Sequence, residues 1–416
     1  MSAGQVNPRE FTLSIGHGAR FLALIGFAAF LAVVALTAVA GEAEATHFRG
    51  GTLSWKHGDE PREVIFEGRF SWRWNYPTFE PRNPQVGDLV RLNWEFLRFG
   101  DGKTAEQLYL LVESVNPSAN VMTGKLVWSG GREITHVYKT ETNNGKPWVV
   151  TYDECCRLGA MNNNRHINNP DANYRLNVVV DLAGPTENDS PRTLVPPIVP
   201  CVMPGPCVFR IPATDVEGDL LHFTMALPDE AGPASATTPA FAQPVAPGLA
   251  PAAVGLANGL YFWNPAGISL LPDVHNLYST QVHVSDGRNK VPTDFFIELL
   301  PPGSPIPAFS AGPCGKQRVI RAGSAESFDV SASSPVQNRH VYLNHLGLPA
   351  GAAFPLPAGA NAVSSTFTWT PAAAQVGTYL VVFTIGDSSG YFGHFCAVEV
   401  VVSERPPASK TVSVTV

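Results

Sequence analysis

Apolar and polar residues alternate along two stretches in the first third of the chain. From Phe66 to Tyr76 every aromatic side chain stands at an even position, and charged or polar residues occupy the odd ones. A shorter run from Val90 to Phe96 repeats this alternation. Because neighbouring side chains of a β-strand point to opposite faces, both runs predict strands with one aromatic or aliphatic face.

Two later segments repeat one order of elements at a spacing of roughly 100 residues, the size of an immunoglobulin-like unit. In each copy a strand reaches a Trp-x-Pro turn, and a tyrosine-led strand, an aspartate turn and a closing strand follow. These steps occupy Leu260–Pro265, Leu277–Gly287 and Phe295–Leu299 in the first copy, and Thr366–Pro371, Thr378–Asp387 and Cys396–Val400 in the second. The repeat predicts two tandem β-sandwiches.

Composition favours an all-β protein. Charged residues make up 15% of the 416-residue chain, which holds 37 glycines and 37 prolines, and no long helical periodicity follows residue 45. We predict an aromatic-rich, sandwich-like domain at 46–185, immunoglobulin-like or cadherin-like sandwiches at 192–302 and 303–403, and a tail at 404–416.

Proline-rich stretches separate these modules at 190–207, 299–309 and 403–409. Proline cannot donate a hydrogen bond to a sheet ladder, and proline-rich segments favour extended conformations. The stretches therefore predict semi-rigid connectors that keep the modules extended.

A hydrophobic stretch near the N-terminus predicts export. Phe21–Ala40 is uncharged and follows two arginines, and small residues suited to cleavage lie at 38–40 and 43–45. This arrangement predicts a helical signal peptide within residues 1–45, released before Thr46. The stretch is also 20 residues long, which is enough to span a bilayer, so a retained membrane anchor is the alternative. In either case the rest of the chain faces an oxidising exterior.

The two repeated modules resemble a known class of extracellular repeat. The third module resembles the immunoglobulin-like and cadherin-like repeats of bacterial surface proteins through Gly347–Gly351 and Phe367–Pro371. The second module resembles the same class through Ile211–Asp219 and Val284–Gly287.

The first module runs from the motif HFRGGTLSW at His47–Trp55 to Cys155-Cys156-Arg157, and it is similar to a group of secreted bacterial and animal proteins without an established activity. The resemblance implies a secreted or cell-surface protein with a structural, adhesion or matrix role. Its expected partner is an extracellular protein or a glycan surface.

Other classes of function have less support. The formal net charge of −7, without a cluster of Lys and Arg, excludes nucleic acid as the main partner. A membrane is expected as a partner only through a retained N-terminal segment. G-x-S-x-G and glycine-rich phosphate loops are missing from the sequence, so we expect no enzyme. An extracellular hydrolase in the first module is the weaker alternative, indicated by its histidines and carboxylates.

Trp72, Trp74 and Tyr76 are candidate ligand-binding residues. Aromatic side chains spaced by two on one strand face could stack on sugar rings, which makes a carbohydrate-binding protein the first alternative function. The same spacing is also expected for core packing, because burying such rings is strongly stabilising. Exposure of the two indoles distinguishes these interpretations.

Asp215, Glu217, Asp219 and Asp286 form a candidate calcium site. Calcium takes about six to eight oxygen ligands, and four carboxylates with nearby carbonyl groups approach that number. Acidic residues beside glycine also form ordinary turns. Calcium is the one cofactor that the sequence suggests.

Six cysteines predict disulfides in an exported chain. Cys314 and Cys396 flank the first and last strands of the third module, and Cys201 and Cys207 enclose a turn-rich segment, so each couple can pair. Cys155 and Cys156 then bond to each other, an arrangement that the resemblance also favours. The alternative is two bridges from Cys155 and Cys156 to Cys201 and Cys207.

Overall fold

The computed structural model describes residues 47–92, 96–159, 164–184, 187–235 and 238–404. The predicted N-terminal helix within residues 1–45, Trp94 and the tail beyond residue 404 lie outside these ranges. Within them, no helix has both the length and the apolar character to cross a bilayer. The all-β prediction is confirmed, because nearly all elements of the described residues are strands and the α-helix among them, α1, is a single turn at Pro228–Ala231.

Eleven strands form the described part of the first module. They are β1 Phe48–His57, β2 Glu63–Arg73, β3 Leu89–Arg91, β4 Leu97–Arg98, β5 Thr104–Ala105, β6 Tyr109–Asn116, β7 Val121–Val127, β8 Ile134–Val137, β9 Trp148–Glu154, β10 Asn164–His166 and β11 Tyr174–Val180.

Two layers of strands enclose the core of this module. One layer has the order β3-β6-β7-β2-β1, and the other has the order β11-β9-β4-β5. Aromatic rings stack across the space between them: the centroids of Phe70 and Tyr152 are 4.4 Å apart, and those of Phe48 and Tyr174 are 3.9 Å apart. The predicted alternation places the even-numbered aromatic residues of β2 in this core, where burial stabilises the sandwich.

The second module adds nine strands. They are β12 Arg192–Thr193, β13 Ile198–Val202, β14 Cys207–Arg210, β15 Ala213–Thr214, β16 His222–Met225, β17 Ala253–Val254, β18 Leu260–Trp263, β19 His275–Ser285 and β20 Lys290–Leu300. The sheet β14-β18-β17 packs against β19 and β20.

Strand β20 joins the first two modules. It pairs with β19 and β13 of its own module, and also with β1 at Gly51↔Asp294 and with β11 at Val179↔Lys290. One sheet therefore continues through both modules, and the sequence boundary between 185 and 192 does not separate two independent sheets.

The segment 190–207 is not the extended connector that its prolines predict. Residues 193–200 are buried, and β13 pairs in parallel with β20. Proline is tolerated in β13 because β20 is its one strand partner among the residues that the structure describes, so a missing amide donor on the other side removes no ladder bond. The prediction of a semi-rigid spacer at this position was therefore wrong.

The third module is a separate sandwich with its own core. Its strands are β21 Ala308–Ala311, β22 Gln317–Arg321, β23 Glu326–Ser333, β24 His340–Leu346, β25 Ala358–Ala360, β26 Ala362–Trp369, β27 Gly377–Asp387 and β28 Cys396–Ser403, with a 3-10 turn at Ala373–Gln375. The two sheets have the orders β21-β23-β26 and β22-β28-β27-β24-β25.

This sandwich packs directly on the other two modules. Phe395 meets Phe209 of the second module edge to face at 5.9 Å, and Phe392 joins a small apolar cluster with Ala119 and Val121 of the first. The described residues between 47 and 404 belong to one compact unit. Apolar contact across the joints therefore overrides the extended arrangement that the prolines predict.

Candidate functional site

Arg157 of the Cys-Cys-Arg segment is fully buried. Its guanidinium donates two hydrogen bonds to the Asp294 carboxylate, at 2.7 and 2.6 Å, and a third to the Ala231 carbonyl at 2.9 Å. The ring of Phe241 lies 4.8 Å from the same group. Arg157 thus ties the first module to β20 and to α1, a role that spacing along the sequence does not reveal.

The HFRGGTLSW motif serves the same joint. Gly50 has φ +116°, and a Cβ atom there would lie 2.3 Å from the Asp294 carbonyl oxygen, so the approach of β1 to β20 requires glycine. Trp55 donates its indole hydrogen bond to the Val179 carbonyl at 3.0 Å. These residues hold β1, β11 and β20 together, which is a packing role.

Residues 164–169, the described part of the asparagine-rich stretch after the paired cysteines, lie against β19. The carbonyl of Leu158 can only accept, so His166 Nδ1 carries the proton that bonds it at 2.6 Å. His166 Nε2 accepts from Ser279 Oγ at 2.9 Å, and the Asn169 side chain donates to the same Oγ at 2.8 Å. Burial lowers the pKa of His166 to about 3, so this histidine is neutral at physiological pH.

The buried histidine predicts a loss of stability in acid. Below the ordinary histidine pKa, His166 is protonated in the unfolded chain. In the folded chain it stays neutral down to about pH 3. His166 therefore leaves the free energy of unfolding unchanged above about pH 6.5. Below that pH it lowers the free energy of unfolding by about 1.4 kcal/mol per pH unit. Between pH 7 and 5 the free energy of unfolding of wild type should fall by about 2 kcal/mol more than that of a His166→Gln variant. Urea denaturation at both pH values measures this difference. An equal fall of the free energy of unfolding in wild type and variant would contradict the prediction.

The structure contains three disulfides, Cys155–Cys156, Cys201–Cys207 and Cys314–Cys396. No bridge joins the paired cysteines to the 201–207 loop. The carbonyl of Cys156 accepts a hydrogen bond from Phe48 N at 3.4 Å, and Arg157 N bonds to the Ala172 carbonyl at 2.8 Å. In this structure the vicinal disulfide belongs to the turn that places Arg157 beside β1.

The three candidate aromatic residues differ in exposure. Trp72 is fully buried in the core, so its ring is not available to a sugar. Trp74 is half-buried and donates to the Pro84 carbonyl at 2.9 Å, while Tyr76 stacks on His47 with centroids 4.3 Å apart. A platform of two exposed indoles is therefore not present, and Trp72 takes the packing role.

Asp215 is used mainly as a turn acceptor. Its Oδ1 accepts the backbone amides of Glu217, Gly218 and Asp219 at 3.0 to 3.1 Å. Its Oδ2 is buried and has no hydrogen-bond donor. Burial, together with the charges of Asp219 and Asp286, raises the pKa of Asp215.

Asp286 is saturated by other donors. Its Oδ1 accepts two backbone amides, and its Oδ2 accepts the side-chain amide of Asn188 at 2.9 Å. In the part of the chain that the structure describes, no three His, Cys, Asp or Glu side chains are arranged to hold a metal ion. Calcium binding by the four carboxylates, for which six to eight oxygen ligands are needed, stays a prediction.

The buried Oδ2 of Asp215, which has no hydrogen-bond donor, allows the calcium prediction to be tested. An Asp215→Asn variant keeps the acceptor for the three backbone amides and removes the repulsion from Asp219 and Asp286. We expect its melting temperature to rise by about 2 °C without calcium. Scanning calorimetry with and without 2 mM calcium measures both effects. If calcium raises the melting temperature of wild type but not of the variant, Asp215 is a calcium ligand. If the variant melts at a lower temperature than wild type without calcium, repulsion from Asp219 and Asp286 does not destabilise the fold.

A groove separates β14 from the third module. Its volume is 870 Å³, and its walls are formed by residues 208–213 on one side and 314–317 on the other. Phe209, Leu380 and Phe395 contribute apolar surface to it. A concave, mainly apolar site of this size is typical of ligand or peptide binding.

Comparison with known proteins points to one group. A family model described as "Integrin beta-like protein A-E, N-terminal" matches residues 49–183. Integrin beta-like protein A of Dictyostelium discoideum is 29% identical over 280 residues, which cover 65% of this chain and 13% of that protein. Integrin beta-like protein C of the same organism is 23% identical over 394 residues, which cover 83% of this chain and 18% of that protein. The chain thus spans less than a fifth of these relatives.

Solved structures give weaker likenesses. Human protocadherin-24 EC1-2 is 16% identical with a TM-score of 0.19, and the match covers 53% of this chain and 100% of that one. Drosophila N-cadherin EC1-3 is 12% identical with a TM-score of 0.23, covering 75% and 90%. At TM-scores this low the likeness carries no functional argument.

Proposed function

We propose that this chain is a secreted or cell-surface β protein with a non-catalytic, adhesion-type role, and that it binds an extracellular protein. The similarity of residues 49–183 to the N-terminal region of integrin beta-like proteins supports an adhesion role. The bacterial surface proteins that the motifs resemble point to the same class.

The groove beside β14 is the observation that carries this proposal. Arg157 and His166 are occupied by buried structural contacts, with Asp294 and with Ser279 respectively. By contrast, the groove is open and mainly apolar. Beside it, β14 exposes Val208, which is 46% accessible, and β18 exposes Phe262, the residue paired with Val208, which is 47% accessible. Exposed apolar surface beside a cleft is typical of a protein-binding site.

The alternatives have less support in the geometry. A glycan platform would need Trp72, which is buried, so only Trp74 and Tyr76 are left for it. A hydrolase would need a nucleophile beside a base. The His57–Asp189 pair, 2.9 Å apart, and the His136–Asp101 pair, 3.0 Å apart, do not line the groove.

Binding of coated beads to cell surfaces tests the proposal. The full chain, collected from the medium of expressing cells, is coupled to beads, and an unrelated secreted β-sandwich serves as the control. We expect the beads to bind cells above the control, with loss of binding after the target cells are treated with protease and no loss after treatment with glycosidases. Binding equal to the control would refute the proposed function, and glycosidase sensitivity would favour the glycan alternative instead.

A further inference from the structure

Strand β14 has one edge without a strand partner among the described residues. It pairs with β18 in the register Cys207↔Trp263 to Arg210↔Leu260. Ile211 N continues this ladder by donating to the Gly259 carbonyl at 2.9 Å. Amides of an antiparallel strand point alternately to its two sides. The backbone groups of Val208 and Arg210 therefore point away from β18.

This free edge faces the groove. The opposite wall belongs to the third module at 314–317, and Phe209 and Phe395 meet edge to face at 5.9 Å within the groove lining. An extended segment lying here could bond the main chain of β14 and place alternate side chains against these rings. Free edges of this kind are templates for an added strand.

The charges around the groove favour an acidic occupant. Arg210 and Lys316 are exposed on opposite walls, on a chain with a net charge of −7. The acidic lining residue Glu399 accepts a hydrogen bond from Gln317 at 2.6 Å. A carboxylate on the solvent side of an added strand would lie near Arg210, and opposite charges on neighbouring strands stabilise pairing.

We propose that the β14 edge binds an extended, acidic segment of the extracellular partner by strand addition. The segment alternates apolar residues, which face Phe209 and Phe395, with acidic residues, which face Arg210 and Lys316. The inference rests on the proposed function, since it names the surface and the chemistry of the protein that this chain binds.

Peptide titration tests the chemistry. The probe is acetyl-Thr-Val-Asp-Val-Glu-Val-Thr-amide, added to the purified full chain in a calorimeter. We expect a dissociation constant on the order of 100 µM. A peptide with lysine in place of the two acids, and one with N-methyl groups on alternate amides, should each bind at least about tenfold more weakly. Equal affinity of all three peptides, or no binding of the acidic peptide, would overturn the inference.

Variants of the chain locate the site. Val208→Pro removes an amide that points into the groove and leaves the ladder to β18 intact, and Val208→Ala is its control because it keeps the amide. Arg210→Glu combined with Lys316→Glu reverses the groove charge, and Arg321→Glu at the far end of β22 is the matched control. Val208→Pro and the double charge reversal should abolish peptide binding and bead binding, while both controls retain them. Unchanged melting temperatures confirm that the variants are folded.

The outcomes separate the inference from the proposed function. Wild-type beads that bind cells, together with folded Val208→Pro beads that bind equally well, would overturn the β14 edge and leave the adhesion role intact. If wild-type beads bind no cells, the adhesion role is refuted. The peptide titration then still tests whether the β14 edge binds an acidic, extended segment. A chain shortened to residue 404 that binds the peptide much more tightly would show that the chain's own tail occupies the groove, which also overturns the assignment to a separate partner.

Discussion

Replacing Asp294 by alanine is expected to lower the free energy of unfolding by about 3 to 5 kcal/mol. The substitution leaves the Arg157 guanidinium fully buried without the carboxylate that accepts two of its hydrogen bonds. An uncompensated charge in the interior carries most of its desolvation cost, whereas the paired charge is offset by attraction and hydrogen bonding. Urea denaturation with the disulfides intact measures the change, and a smaller yield in the medium should accompany it.

Two controls identify the cause of this loss. Glu133→Gln breaks a half-buried pair at the surface, Lys125–Glu133 at 3.1 Å, and should change the free energy of unfolding by about 1 kcal/mol or less. A double variant, Arg157→Met with Asp294→Leu, removes both charges and should recover much of the stability that Asp294→Ala loses. If Asp294→Ala and Glu133→Gln behave alike, the buried pair does not hold the modules together.

Gly50→Ala is expected to destabilise the chain by about 3 to 5 kcal/mol through two separate causes. The φ of +116° disfavours any side chain, which costs roughly 1 to 2 kcal/mol. The new Cβ would also lie 2.3 Å from the Asp294 carbonyl oxygen, a backbone atom that cannot move without opening the joint between β1 and β20. Thermal and urea denaturation of the purified chain measure the sum.

Gly87→Ala is the matched control for this substitution. Gly87 also has a positive φ, +94°, but a Cβ there would have no neighbour within 4 Å. Its replacement should cost only the conformational part, about 1 kcal/mol. The difference between the two variants isolates the contact with β20, and equal losses would show that this approach contributes nothing.

Periodicity predicted the elements well where side-chain burial alone decides them. The alternation from Phe66 onward corresponds to β2, and the repeated tyrosine-led segments correspond to β19 and β27. Alternation is reliable for β2 because mainly one face of that strand is buried, and period-two burial imposes period-two sequence. Strands β19 and β27 are buried on both faces along most of their length, so their repeated order and turn residues identified them instead.

Proline content was a poor guide to how the modules are joined. The prolines of 190–207 predict a spacer, yet this segment contributes β13, whose free side does not need the amides that proline lacks. Contacts between distant segments, such as Phe209 with Phe395, decide the arrangement. Those contacts leave no periodic signal in the sequence because each involves a single residue from each module.

For the candidate sites, too, the sequence named residues and the tertiary structure decided their roles. The sequence identified Trp72 as either core or ligand-binding, and only the depth of the sandwich decides for the core. It singled out Cys155-Cys156-Arg157 without indicating that Arg157 meets Asp294, a residue 137 positions away. It gave no sign of the β14 edge, because an unpaired edge is defined by the strand that is missing beside it.

The sequence by itself determined the all-β class, the strand faces, the repeated sandwiches and the expectation of export, because these follow from local periodicity, turn residues and hydrophobic length. The tertiary structure alone decided that β20 continues the sheet of the first module, that the three modules pack together, and that a groove opens beside β14. The physical reason is that strand pairing and the burial of charges such as Arg157 depend on partners far along the chain, and their choice is set by the packing of the whole molecule.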